Sequence, residues 1–434
     1  MLKNFLLLFL ALRAADVLNL AGGLYLVPKF VTPDDLGAVL PLTSFATILS
    51  IPLFAVAMTA LRESARLRSL RGETSRSSAE SARQLRSFVR GVFTAVGIIA
   101  ALTLAVTAAV LPRYLVRLHV ADSLSGHLAV VAAFLGCVSP VYLDQLQAAK
   151  RFGAVGAIEI SAAALRLAAM AVIMPFRALA GYFAGSVVKH LVQILGPLLV
   201  LGRSSGILSA AETDETIRSC SYWTRSNIIR LLKDFSLLLP YLALPMIVSF
   251  TENDLVRTLL ASEDSAGYYM ATRISDLMNY ITFPILFVTF PYVTDKASRG
   301  ESYRKTVLHA CLIVIGIAVL GAAVTGVFGP GIISLIPNGG NYVRYASHLP
   351  MLFLFMGFGA VQSIITNGEV AAGRFSFLWW LIPLNVAYVA LLPRLVKSAS
   401  LELLVAIFAI FALVRMICAV SQLGFTRQDR SSRS

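Results

Sequence analysis

Stretches of about 20 apolar residues follow one another along the whole chain, each long enough to cross a roughly 30 Å hydrocarbon core as a helix. Nothing else in the sequence narrows its possible folds as much. The runs lie at 4–27, 37–60, 88–112, 126–148, 154–176, 178–202, 234–256, 266–292, 306–329, 345–367, 375–393 and 400–424. In lipid a spanning segment must satisfy its own backbone hydrogen bonds, and a run of this length does so as a helix. The composition agrees. The 434 residues are 57% hydrophobic and 14% charged, against about 25% charged in a soluble domain. So few charges could not cover a water-facing surface. The expected fold is an all-α polytopic membrane protein with about twelve transmembrane helices.

Charge sets the expected orientation. Twenty-four Lys and Arg residues fall in alternate connections and eight in the others, so the richer set is assigned to the cytoplasm, together with both termini. The start of the chain imitates a signal peptide, with Lys3 ahead of "FLLLFLAL". Arg13 interrupts that core and the run resumes to Val27, so helix 1 is expected to stay as an anchor. The arginine-rich stretch "LRESARLRSLRGETSRSSAESARQLRSFVR" is read as a solvated cytoplasmic loop near anionic headgroups. With the net charge of +14 explained by topology, no nucleic-acid partner is implied.

Several chemistries lack their motifs. The four cysteines form no CxxC pair, the five histidines form no HxxH or HExxH, and no GxxxxGK[ST] loop is present. No metal site, cofactor or catalytic residue is expected. Energy for any work must come from an ion gradient, the gradient of the substrate, or a partner.

Two phrases recur. "AAKRF" at 148–152 ends helix 4 and "AAGRF" at 371–375 ends helix 10. Where helices 2 and 8 begin, "TPDDLGAVLPLTS" and "SEDSAGYYMATRI" align Asp34 with Asp264 and Gly37 with Gly267. Similar offsets suggest a duplicated six-helix unit. The expected organisation is an N-terminal bundle at 1–202, a cytoplasmic linker at 203–233 carrying an interfacial helix, a C-terminal bundle at 234–425 and a tail at 426–434. Two such bundles of equal topology would face each other across a central cavity.

The same segments carry a family resemblance. "VPKFVTPDDLGAVLPLTSFATIL", "LQAAKRFGAVGAIEISAAALRLA", "ASEDSAGYYMATRISDLMNYITFPILFVTFPYVTDKASRG" and "PNGGNYVRYASHLPML" resemble segments of the polysaccharide-biosynthesis flippases of the O-antigen type. These belong to the superfamily that also holds the multidrug MATE exporters and the lipid II flippase. The resemblance spans essentially the whole chain. It implies translocation of an undecaprenyl-pyrophosphate-linked oligosaccharide across the bacterial inner membrane by alternating access. It also implies membrane lipid and a polysaccharide polymerase or chain-length regulator as partners.

Ionisable residues inside the spans mark the candidate site. Helix 1 writes "RAADVLN" (Arg13, Asp16, Asn19) and helix 8 writes "RISDLMN" (Arg273, Asp276, Asn279). Steps of three keep each trio within about 120° of one helix face. Arg166, Lys189 and Arg415 add three cations, with Glu159 two turns before Arg166. Five charges at mid-membrane depth cost on the order of 12–18 kcal/mol on insertion scales, so they are expected to face a wet cavity or a partner. Arg13, Arg166, Lys189, Arg273 and Arg415 are read as a cationic surface for phosphate, to which arginine forks are suited. Asp16, Glu159 and Asp276 are candidates for proton or ion coupling, with Asp16 and Asp276 alternatively staples for Arg13 and Arg273. Asn19 and Asn279 are polar cavity residues. Two rivals remain open. A MATE-like exporter of cationic drugs would carry an acidic cavity. A membrane-embedded glycan polymerase or ligase would carry a large external loop.

Overall fold

The computed structural model describes residues 2–69, 75–148, 151–202, 222–299, 301–396 and 400–425. Among the described residues twelve helices follow one another: α1 (Leu2–Ala21, continued by a π-turn at Gly22–Leu26 and a short turn at Val27–Phe30), α2 (Pro33–Ser69), α3 (Ser75–Arg117), α4 (Ser123–Ala148), α5 (Phe152–Ile173), α6 (Ala178–Gly202), α7 (Arg225–Leu259), α8 (Ser262–Ser275 and Leu277–Ser298), α9 (Arg304–Ser334), α10 (Leu349–Ala371, preceded by a 3-10 helix at Gly339–His348), α11 (Leu378–Leu395) and α12 (Leu401–Phe425). Among the described residues, eleven segments are long and apolar enough to span a membrane. The remaining helix, α8, opens with a 14-residue segment carrying Glu263, Asp264 and Arg273.

The chain divides into two compact units. The first holds residues 1–19 and 42–246, the second 20–41 and 247–434. The division therefore falls inside α1, inside α2 and just after Pro245 of α7. In the first unit α6 packs along both α4 and α5, and in the second α10 packs along α8, α9 and α12.

Local chemistry explains several departures from the expected outline. The arginine-rich stretch is not a loop throughout. α2 runs on to Ser69 and α3 starts at Ser75, because Arg, Leu, Ala and Glu are good helix formers in water as well as in lipid. In α1, Pro28 cannot donate a backbone hydrogen bond and its ring crowds the carbonyl four residues back. The π-turn at Gly22–Leu26 stands where that strain would fall. α7, by contrast, passes through Pro240 and Pro245 without a break. α8 is interrupted at Asp276, between Ser275 and Leu277.

Both repeated phrases prove to be helix termini. α4 ends at Ala148 and α10 at Ala371, the same point in each phrase. Arg151 N–H donates to Leu146 O at 2.9 Å and Arg374 N–H to Glu369 O at 2.8 Å, the same six-to-one bond of a Schellman cap. Gly373 takes the required left-handed φ of 71°. Its counterpart in the first phrase, Lys150, lies outside the described residues. The acidic echo is likewise terminal. Asp34 and Asp35 open α2, and Glu263 and Asp264 open α8, where a helix favours negative charge.

Of the expected interfacial segment, 212–234, residues 212–221 lie outside the described residues and 225–234 open α7. Between them, Tyr222 and Trp223 dock on α3 within the first unit. Trp223 Nε1 donates to Ser87 O at 3.1 Å, and Tyr222 packs edge-on to Phe88. Arg230 then bridges to Glu63 at 2.8 Å. Burial pushes the Tyr222 hydroxyl up to about 12, so it stays a neutral acceptor for Arg230 at 3.2 Å.

Candidate functional site

Each unit holds its own group of intramembrane charges. In the first unit, α1 contributes an Arg13–Asp16 ion pair at 2.9 Å, each side chain 25% exposed. One turn further on, Asn19 Oδ1 accepts from Arg166 Nη1 of α5 at 2.8 Å. The Arg166 guanidinium also lies over the Tyr182 ring, 5.4 Å from its centroid. Lys189 of α6 is within electrostatic range of Arg166, Glu159 and Asp16. The sequence-predicted Arg13, Asp16, Asn19, Glu159, Arg166 and Lys189 thus come together in one unit. Three cations stand against two acids.

A neutral layer that the sequence reading missed supports this group. Gln193 Nε2 donates to both Glu159 oxygens, at 3.0 and 2.9 Å. Gln193 Oε1 meets His190 Nδ1 at 2.8 Å and accepts from the Ser139 hydroxyl of α4 at 3.3 Å. Lone neutral polar residues in an apolar run carry no sequence signal. Only the spacing of His190 and Gln193, three apart on α6, hinted at a shared face.

In the second unit the helix-8 trio forms as its spacing predicts. Arg273 pairs with Asp276 at 3.0 Å, the two side chains being 22% and 20% exposed. Asn279 Nδ2 donates to the other Asp276 oxygen at 3.3 Å. Tyr269 lies under the Arg273 guanidinium, and its hydroxyl donates to Gly23 O on the π-turn at 3.4 Å. A Cβ on Gly23 would sit 4.0 Å from Arg273 Cδ, so the wide turn flanks the arginine.

Arg415 stands elsewhere in that unit and is sealed in, at 7% exposure. Its charge is answered by Glu252 of α7, a counter-charge the sequence reading did not count. Glu252 is only 4% exposed and accepts from the Tyr388 hydroxyl at 2.9 Å. The Tyr388 ring stacks flat on Phe411, and the Arg415 guanidinium lies 4.8 Å from the centroid of Phe411. "FTENDLVR" reads as the polar end of a span, yet Glu252, Asn253, Asp254 and Arg257 are all buried.

Tyr268 and Tyr269 are buried, and Trp379 is 86% exposed, as suits a lipid-facing anchor. Glu369 is buried and accepts from the Tyr303 hydroxyl at 2.8 Å. Among the described residues no group of His, Cys, Asp and Glu is arranged to hold a metal ion.

No family model matches the chain, and no curated protein matches it in sequence. Solved structures do share its fold, which is that of the MATE transporters. An inward-facing multidrug resistance MATE family transporter of the MOP superfamily aligns with a TM-score of 0.66 at 16% identity, over 96% of this chain and 95% of that one. The lipid II flippase MurJ, in an inward closed conformation, aligns at 0.64 and 14% identity, over 98% of this chain and 87% of that one. A MOP superfamily transporter from Pyrococcus furiosus, described as having a binding pocket of reverse polarity, aligns at 0.58 and 15% identity, over 97% and 94%.

Proposed function

We propose that this chain is a flippase of the bacterial inner membrane, multi-pass with both termini cytoplasmic. It carries an undecaprenyl-pyrophosphate-linked oligosaccharide from the cytoplasmic to the periplasmic leaflet for cell-surface polysaccharide synthesis. The observation that carries this reading is the surplus cation of the first unit. Arg13 is answered by Asp16, whereas Arg166 is bonded to the neutral amide of Asn19. Among the described residues, Glu159 is the acid besides Asp16 that acts on Lys189. A half-buried positive surplus calls for an anion, and a pyrophosphate offers the oxygens that a guanidinium binds in pairs. Arg273 supplies a second, partly exposed guanidinium in the other unit. Alternating access is the mode we assign to it, and solved structures of this fold include inward-facing and outward-facing forms.

The likeness to multidrug transporters supports a second reading, an ion-coupled exporter of small molecules. Such a pump for cations would have to tolerate the positive charge of the first unit. Thermal stability of the purified protein separates the two. Undecaprenyl pyrophosphate should raise the unfolding midpoint of the wild type more than undecaprenyl monophosphate does, and tetraphenylphosphonium should not raise it. Stabilisation by the phosphonium cation alone would favour the exporter.

A further inference from the structure

The three candidate coupling acids differ in what already holds them. Asp16 and Asp276 each face a guanidinium, at 2.9 and 3.0 Å. A proton arriving at either must break a direct ion pair. Glu159 is held differently. Among the described residues its hydrogen bonds come from an uncharged amide, Gln193, which offers its NH₂ to both carboxylate oxygens.

That amide is also a reporter. Its carbonyl face is turned to His190 Nδ1 and to the Ser139 hydroxyl. An ionised carboxylate only accepts hydrogen bonds, so Gln193 must present NH₂ to it. Gln193 Oε1 is then left facing His190, which must carry a proton on Nδ1. Once protonated, Glu159 has an O–H to donate, and the amide carbonyl is the acceptor beside it. The amide turns over, its NH₂ meets His190 Nδ1, and that nitrogen must now be the acceptor. Ser139 fits both arrangements, since a hydroxyl donates or accepts. A Cβ at Gly136 would lie 3.0 Å from His190 Nε2, so the glycine leaves room at the atom that takes the proton instead.

We propose that Glu159 is the proton-accepting acid of the first unit and that Gln193 transmits its state to His190. A proton on Glu159 and a proton on His190 Nδ1 then exclude each other. The balance is one proton. It comes from bulk water and bonds to a Glu159 oxygen, while the neutral imidazole exchanges its own proton from Nδ1 to Nε2. The groups facing Glu159 are Asp16 of α1 and Lys189 and Gln193 of α6. Those facing His190 are Lys189 and Gln193 on its own helix, Arg166 of α5 and Ser139 of α4. Lys189 and Arg166 therefore tie the switch to the anion site, a link that rests on the function proposed above. An anion bound there changes the field at both titrating groups.

Infrared difference spectra of the full-length protein in lipid nanodiscs, taken between about pH 8 and pH 5, test this without any substrate. The protonated-carboxyl band of the wild type should rise as pH falls. It should disappear in Glu159→Gln and persist in Asp16→Asn, Asp276→Asn, Glu252→Gln and Glu369→Gln. Gln193→Leu and His190→Asn should move its midpoint by about one pH unit, with the imidazole bands of the wild type changing at the same midpoint. Should Glu159→Gln fail to fold, carbon-13 glutamate in the wild type must shift the band, and carbon-13 aspartate must leave it in place. A wild type with no titrating band, or a band that belongs to an aspartate, overturns the proposal. A midpoint indifferent to Gln193→Leu and His190→Asn overturns the transmission through Gln193. None of these results depends on which lipid is carried, so the flippase reading stands or falls separately.

Discussion

Arg166→Ala is expected to reduce glycan export by roughly ten- to a hundredfold while leaving the amount of folded protein near that of the wild type. A hydrogen bond to a charged group contributes about 1.5–3 kcal/mol, and every 1.4 kcal/mol is about a tenfold change in affinity. The structure makes this the cleanest of the arginine variants. Arg166 is bonded to the neutral Asn19, so its removal leaves behind an amide and no ion-paired acid. Arg13→Ala is a harsher change, because it strips Asp16 of its partner at 2.9 Å. Export should fall there too, with some loss of protein. Arg166→Lys should restore export only in part, since an ammonium cannot make the two parallel bonds of a guanidinium. Export is read as surface polysaccharide, normalised to protein in the membrane fraction. Normal export in Arg166→Ala would remove this residue from the substrate site.

Glu252→Leu should be the most destabilising single change in the second unit. It leaves the Arg415 guanidinium, 7% exposed, without the carboxylate that answers it. Breaking a buried pair from one side costs roughly 3–5 kcal/mol, whereas replacing both partners by apolar residues of similar volume is often neutral. The double variant Glu252→Leu/Arg415→Met should therefore recover most of the thermal stability that Glu252→Leu loses. Tyr388→Phe, which removes a single hydroxyl from Glu252, should cost less, about 1–3 kcal/mol. Unfolding midpoints of the wild type, Glu252→Leu, Arg415→Met and the double variant in one detergent form a cycle whose coupling term measures the pair. Additive losses would mean that Glu252 and Arg415 are independent.

These expectations show where the sequence was informative. The helices were legible because lipid imposes one length and one kind of backbone pairing on every crossing. The pairs Arg13–Asp16 and Arg273–Asp276 were legible because a three-residue step on a helix brings side chains together before any tertiary contact is known. Contacts between distant helices were not. Nothing near Arg415 in the chain announces Glu252, and Glu252 sits in a stretch whose four polar residues imitate a helix end. Gln193, His190 and Ser139 escaped notice for a different reason. Each is uncharged, inexpensive to insert and common in apolar helices, so only their mutual hydrogen bonds mark them. The repeated Ala-Ala-x-Arg-Phe was legible as a pattern, but its physical content, a shared helix cap, needed the backbone bonds of Arg151 and Arg374.

The central claim is that the half-buried cation surplus of the first unit holds the phosphate end of a lipid-linked glycan while it crosses the bilayer. Its most direct measurement uses purified protein in sealed vesicles containing a fluorescent undecaprenyl-pyrophosphate-linked oligosaccharide. A membrane-impermeant glycosidase added outside reports how much label the outer leaflet holds over time. Wild-type protein should expose the inner-leaflet pool at a rate well above that of empty vesicles, and Arg166→Ala should return that rate to near background. A wild-type rate equal to that of empty vesicles, or one unchanged by Arg166→Ala, would contradict the account.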